Sequence, residues 1–159
     1  MKNIVLISLC VILTACGASD GITRSAKKMI NGKWLLKNID YETNAKGTFN
    51  ITILDKISTQ CIEGSHWEFI ANNHSGNYEL SNDACTEKGI KNFIWSIPTE
   101  MYGLEYSIML KPVNKKMKST TNDKAYRMQL SELDTATMVW TYDVTIEGKN
   151  LLLKLNFVK

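Results

Sequence analysis

Four cysteines and two histidines are the side chains of this 159-residue sequence best suited to nucleophilic or metal chemistry. A nucleophile needs a base within hydrogen-bond reach, and a metal needs several donors at short spacing. Neither arrangement is legible. His66 and His74 are separated by a strand-like stretch and a turn, and His66 falls on the face opposite Trp67 and Phe69, which directs it to solvent. His74 lies in Asn72-Asn73-His74-Ser75-Gly76, a polar turn signal. No Gly-x-Ser-x-Gly, phosphate-cradling glycine loop, His-Glu-x-x-His or Asp-rich calcium loop occurs. Glu79 and Asp83 are near each other without a motif that would make them an acid–base pair. The expectation is a protein that is not an enzyme and that carries no cofactor or metal. Lys111, Lys115, Lys116, Lys118 and Lys124 surround a Ser/Thr/Asn-rich stretch. Two readings stay open for them, a phosphate or lipid-headgroup site and a solvated loop, and Asp123 within the run favours the loop.

The remaining chemistry belongs to the cysteines. Met1-Lys2-Asn3 is a short positive start, and Ile4–Leu13 is an apolar run too short to span a bilayer as a helix. It ends in Leu13-Thr14-Ala15-Cys16-Gly17, which resembles the lipobox of bacterial lipoproteins. The resemblance implies a signal peptide over residues 1–15, cleavage before Cys16, a diacylglycerol on its thiol and a further palmitate-type chain on the exposed amine. Two or more chains anchor stably, at about 0.8 kcal/mol per buried CH₂, whereas one chain is marginal. Cys10 is a poor acceptor because bulky Leu9 precedes it. Gly17 stands where the inner-membrane retention signal of such lipoproteins has Asp, so an outer-membrane address in the bacterial envelope is expected, periplasmic or surface face open. An ordinary signal peptide with an incidental cysteine and an uncleaved anchor are the alternatives.

Loss of residues 1–15 leaves 144 residues, one domain's worth, with 18 basic against 16 acidic side chains once Lys2 is gone. That balance is too small to argue for nucleic acid. Gly17–Lys28 is small and polar and reads, with Cys16, as a flexible tether over residues 16–28, followed by one domain over residues 29–159. Cys61 and Cys85 are then an even pair in an oxidising compartment, for which a disulfide is the default. Such a link contributes about 3 kcal/mol on the chain-entropy account.

The elements that position these residues follow a period of two. Trp34 and Leu36, Trp67 and Phe69, Tyr78 and Leu80, and then Phe93, Trp95 and Ile97 each share a face. Tyr106, Ile108 and Leu110 alternate with Ser107, Met109 and Lys111, and Tyr126, Met128 and Leu130 with Arg127, Gln129 and Ser131. Met138 to Ile146 and Leu151 to Phe157 flank the turn Glu147-Gly148-Lys149-Asn150. Thr48–Leu54 fits a further strand through Phe49, Ile51 and Ile53, residues 55–65 are ambiguous, and no stretch has a helical period. Eight or nine short strands joined by tight turns predict an all-β fold, an antiparallel up-and-down β-barrel of about eight strands. A β-sandwich is the alternative.

Gly32-Lys33-Trp34 at the head of the first strand resembles the Gly-x-Trp signature of lipocalins, in which the Trp plugs one end of an eight-stranded barrel. Cys61, then Trp67-Glu68-Phe69, Gly76-Asn77-Tyr78 and Cys85, look like the bacterial lipocalin-like lipoproteins, and the resemblance covers roughly Ile30 to Lys159. It implies Trp34 as barrel-end plug. It departs in one respect: lipocalins often stack a late Arg on that Trp, and the last two strands here have none, Lys154 being a poorer stacker.

With such a barrel, Trp67, Phe69, Tyr78, Trp95, Tyr126 and Trp140, together with Met128 and Tyr142, either line an apolar pocket or fill the core. Alternation alone does not say which face of each strand turns inward. The leading expectation is a membrane-anchored lipocalin-like lipoprotein binding a small hydrophobic or amphipathic ligand. The alternative is an envelope structural or interaction module with a filled barrel, no ligand, and another envelope protein as partner.

Overall fold

The computed structural model describes residues 18–42, 50–54, 56–98, 106–146 and 148–159. The signal segment, Cys16, Thr48 and Phe49 lie outside them. Twelve elements follow in chain order: α1 (Ala18–Ile30), β1 (Gly32–Glu42), β2 (Thr52–Ile53), β3 (Ile57–Ser58), α2 (Thr59–Ile62), β4 (His66–Ile70), β5 (Ser75–Leu80), β6 (Gly89–Ser96), β7 (Tyr106–Val113), β8 (Tyr126–Leu133), β9 (Thr137–Ile146) and β10 (Lys149–Val158).

Eight of the strands close into an antiparallel barrel in the order β1-β10-β9-β8-β7-β6-β5-β4, and β2 pairs only with β3 in a separate two-stranded sheet. The up-and-down barrel is therefore the fold, and the sandwich is not. Closure falls on β1. Its first residues pair with β4, from Gly32↔Phe69 to Leu35↔His66, while Leu35 onward pairs with β10 as far as Glu42↔Leu152. A bulge between Leu36 and Asn38 turns β1 away from β4. The freed edge is finished by residues before β4: Gly64 N–H donates to the Leu36 carbonyl at 2.8 Å, and the Ile39 N–H donates to Glu63 Oε2 at 2.9 Å.

The burial patterns settle which face turns inward. Trp34, Leu36, Trp67, Phe69, Tyr78, Phe93, Trp95, Ile108, Leu110, Met128, Leu130, Met138, Trp140 and all four of Leu151, Leu153, Leu155 and Phe157 are buried, while most of their neighbours along the strands, apolar Leu35, Ile94, Met109, Val139 and Leu152 included, are half-buried or exposed. The bulge in β1 shifts the inward set from Trp34 and Leu36 to Ile39, which pairs with inward Leu155. A second irregularity between Leu130 and Glu132 does the same for Leu133, opposite Met138.

Alternating strand direction sorts the connections between two ends. At the helix end lie the junction from α1, the turn over residues 71–74, the turn over residues 134–136, and Lys159. At the loop end lie residues 50–54, 56–65, 81–88 and 114–125 and Gly148 between β9 and β10.

Two expectations are corrected. The small, polar stretch read as a flexible tether is the helix α1, whose Ala26 and Ile30 join the hydrophobic core. Four residues apart, these two form one face, while Arg24, Ser25 and Lys28 are exposed. The period was there, but the apolar face is only a small Ala and one Ile wide in this part of the helix. Second, the described part of the expected strand, residues 50–54, does not join the barrel. Among these residues only Thr52–Ile53 is extended, pairing with β3, and Ile51, Ile53 and Leu54 are buried as part of the loop-end insertion. The ambiguous stretch that follows holds β3 and the single turn α2, capped by Ser58, whose hydroxyl accepts from the Cys61 N–H at 3.2 Å.

Candidate functional site

Three regions of the barrel have enough convergent side chains to act as a site: the interior and the two ends. The interior was expected to offer either a pocket or a packed core, and the rings decide between them. Trp67 stacks on Tyr78 with centroids 4.4 Å apart and meets Phe93, Trp140 and Phe157 at 5.5–5.6 Å. Phe69 meets Phe93 at 5.2 Å and Trp95 at 5.7 Å, and Trp140 meets Phe157 at 4.5 Å. These separations are those of rings in contact, edge to face or offset. The small barrel is thus filled across its middle by its own side chains, which an eight-stranded cylinder is just wide enough to hold.

Gly76 makes part of this packing feasible. A Cβ there would lie 2.4 Å from the Phe93 ring and 2.5 Å from the Glu68 carbonyl oxygen. The absent side chain lets the Phe93 ring lie across the backbone of β5, a physical reason for glycine before Tyr78.

Three of the four indole N–H groups are tied to oxygen. Trp34 donates to the Ile30 carbonyl at 2.7 Å, Trp67 to Ser65 Oγ at 2.8 Å and Trp95 to the Ser75 carbonyl at 2.9 Å. Trp140 is fully buried and its Nε1 has no hydrogen-bond partner among the described residues. Around it stand the rings of Trp67, Phe69 and Phe157.

Of the six residues expected to contact a ligand, Trp67, Phe69, Tyr78, Trp95 and Trp140 are brought together and packed on one another. Tyr126 joins them only at the edge, partly buried against the same core. It lies at the loop-end rim, with Lys124 Nζ 5.4 Å above its ring. Met128 is buried and Tyr142 is partly buried against the same core.

The helix end carries the Trp plug. Trp34 is buried, and Lys159 Nζ lies 4.7 Å above its ring while donating to the Met29 carbonyl at 2.9 Å. The cation that the late strands lack is therefore supplied from the residue just past β10. Lys154, the expected substitute, is on the barrel wall and pairs instead with Glu42; that carboxylate holds the Lys154 ammonium above its usual pKa. The signal for Lys159 was available in its position after the final alternating residue, Phe157, but a search confined to strands passes over it.

The loop end is covered by the insertion between β1 and β4. Cys61 and Cys85 form a disulfide that joins α2 to the β5–β6 loop, as expected. Asn82 Nδ2 donates to the Gln60 carbonyl at 3.0 Å and reinforces the same junction. Beside it, where β6 and β7 part company beyond the pair Asn92↔Val113, an open cleft of about 430 Å³ is lined by Leu54, Ile57, Tyr78, Lys91, Val113 and Lys115 among others. A shallower depression of about 230 Å³ lies over Cys61, Ser65 and Asn82.

Among the polar candidates, His66 is exposed on the outer wall, and His74 is half-buried with its ring 5.9 Å from Trp95. Of the basic loop, Lys111 pairs with Asp123 at 3.2 Å, and Lys115, Lys116 and Lys118 are exposed. Asp83 and Glu79 do not pair as a site; Asp83 is bound by Lys88, which lowers its pKa. Among the described residues no three His, Cys, Asp or Glu side chains gather as a metal ligand set, and no helix is long and apolar enough to cross a membrane.

Comparison with known proteins returns no match, whether to family models, to curated proteins or to solved structures.

Proposed function

We propose that this protein is a lipid-anchored, lipocalin-like module of the bacterial cell envelope that works through its outer surface rather than by carrying a molecule inside its barrel. It is not an enzyme on this reading. The observation that carries the proposal is the continuous contact of Trp67 with Tyr78, Phe93, Trp140 and Phe157 across the barrel. A carrier needs a hollow of roughly 300–1,000 Å³ among such residues. Here a ligand would first have to displace aromatic rings packed against one another. The lipid anchor rests on the sequence pattern ending in Cys16 and Gly17.

A small amphipathic ligand is favoured only at the loop-end cleft. Its apolar floor of Leu54, Ile57 and Val113 lies beside Lys115 and the Lys91–Glu87 ion pair, a setting that would suit a short apolar tail with a polar head. The same cleft is equally suited to a side chain of an envelope partner protein.

The test is the intact mass of the full chain after expression in a bacterium with lipoprotein processing and extraction in detergent. Loss of residues 1–15 with the added mass of acyl groups on Cys16 is expected. A chain of full length without acyl mass, or one cleaved elsewhere and freely soluble, would overturn the anchor. Site-specific photo-crosslinkers at Ile90 and Lys115, both exposed beside the cleft, should then capture an envelope protein. Crosslinks no more frequent there than at Lys37, on the outer wall, would remove the cleft from the account.

A further inference from the structure

The exposed face of α1 gathers positive charge, with Arg24, Lys27 and Lys28 in its last two turns. Arg24 and Lys28, four residues apart, are exposed on one side, and Lys27 is half-buried beside them. None of the three has an ion-pair partner among the described residues. The one acid in the helix sequence is Asp20, in the first turn. At the same end of the barrel Lys33 is exposed on the outer face of β1. At that end Glu68 stands opposite Lys33 and accepts from Asn77, and Asp134 accepts from the Ala136 and Thr137 N–H groups.

Position adds a second constraint. Only Gly17 separates Cys16 from the start of α1 at Ala18. Two residues of chain reach at most about 7 Å. A lipid on Cys16 therefore holds the start of α1 within about one Debye length of the headgroups at physiological ionic strength, where surface charge is still felt. The opposite face of the helix is already used, because Ala26 and Ile30 are buried in the core.

We infer that the basic face of α1, with Arg24, Lys27 and Lys28, lies on an anionic bilayer surface and stands the barrel on its helix end, so that the disulfide-tied loop end projects away from the membrane. The inference rests on the lipid-anchor reading. It adds an orientation, in which the loop-end cleft is presented to the space beyond the bilayer. Each basic residue near an anionic surface strengthens attachment by a factor of about five, and three together suffice to hold one orientation against rotation about a short tether.

The full lipidated chain, reconstituted in phosphatidylglycerol–phosphatidylcholine vesicles and in pure phosphatidylcholine vesicles, gives the test. Brief acetylation followed by mass spectrometry reads each lysine. Lys27 and Lys28 should react at least about fivefold more slowly on the anionic vesicles, with the difference abolished at high salt and Lys115, Lys116 and Lys118 unaffected. The double variant Arg24→Glu, Lys28→Glu should stay on the vesicles through its lipid and lose the protection of Lys27. Equal labelling of Lys27 and Lys28 on both vesicle types, or protection that survives the double variant, would overturn the orientation. Failure of the anchor reads differently: the chain would lack acyl mass and would not float with vesicles of either composition.

Discussion

Lys159 Nζ lies 4.7 Å above the ring of Trp34, and the same ammonium donates to the Met29 carbonyl at 2.9 Å. One cation thus joins three parts of the helix end: the entry to β1, the end of α1 and the exit from β10. Trp34 itself donates to the Ile30 carbonyl, so ring and cation together fix how the helix leaves the barrel. Replacing Lys159 with Met keeps its length and removes the charge. A stability loss of about 0.5–1 kcal/mol is expected, as for a cation–π pair at an exposed site, read as a lower urea midpoint. Lys159→Arg should retain most of it, because a guanidinium stacks on an indole at least as well. Trp34→Ala should lose about 3–5 kcal/mol, as large-to-small changes of a buried aromatic do.

Gly76 offers a sharper contrast. Gly76→Ala would set a Cβ 2.5 Å from the Glu68 carbonyl oxygen, a backbone atom that a rotamer change cannot move. A cost of about 1–3 kcal/mol is expected from overpacking, and the near-ultraviolet circular dichroism of the packed rings should change with it. Gly148→Ala would meet nothing within 4 Å and would be strained only by its φ of 75°, so its spectrum should match that of the parent.

The disulfide has a separable effect. Cys61 and Cys85 are buried, at 5% and 8% exposure, so mild reductant should act slowly on the folded protein. The paired variant Cys61→Ser, Cys85→Ser should fold with the same barrel but lose about 3 kcal/mol of stability. Hydrogen exchange should quicken first in α2 and in the β5–β6 loop, which the link joins, and least in β9 and β10.

Asp134 sets a pH dependence. Its carboxylate accepts from the Ala136 N–H at 2.6 Å and from the N–H and hydroxyl of Thr137, and the Ala136 bond is the largest cause holding its pKa below the ordinary 3.8. With the folded pKa depressed, its contribution is complete above the unfolded value and is lost as pH falls through the folded one. Asp134→Ala should therefore weaken the β8–β9 hairpin at neutral pH and narrow the stability difference between pH 6 and about pH 2. Amide exchange of Ala136 and Thr137 would read it.

Much of the barrel was legible because its strands bury one face and not the other. Met138 and Trp140 alternate with Val139 and Thr141, and the barrel repeats the rhythm. Which face turned inward was not legible in β1, because the bulge after Leu36 moves the inward set by one residue. The filled interior was open from sequence: Trp67, Trp95 and Trp140 suit a pocket wall as well as a core, and only their mutual distances separate the two. The helix α1 escaped notice because composition resembling a linker masked the spacing of Ala26 and Ile30. Ile51 and Ile53 showed the right alternation for a strand, yet they serve as plugs for the loop end, since two apolar residues on one side fit either role.

The central claim is that the barrel is filled by its own aromatic side chains. Titrating the full chain with a long-chain fatty acid while following tryptophan emission tests it most directly, because Trp67, Trp95 and Trp140 stand where an interior ligand would lie. Emission unchanged up to the solubility limit is predicted, with Trp140→Ala gaining an affinity for small apolar molecules through the cavity it opens. Saturable one-to-one quenching of the parent protein would contradict the claim.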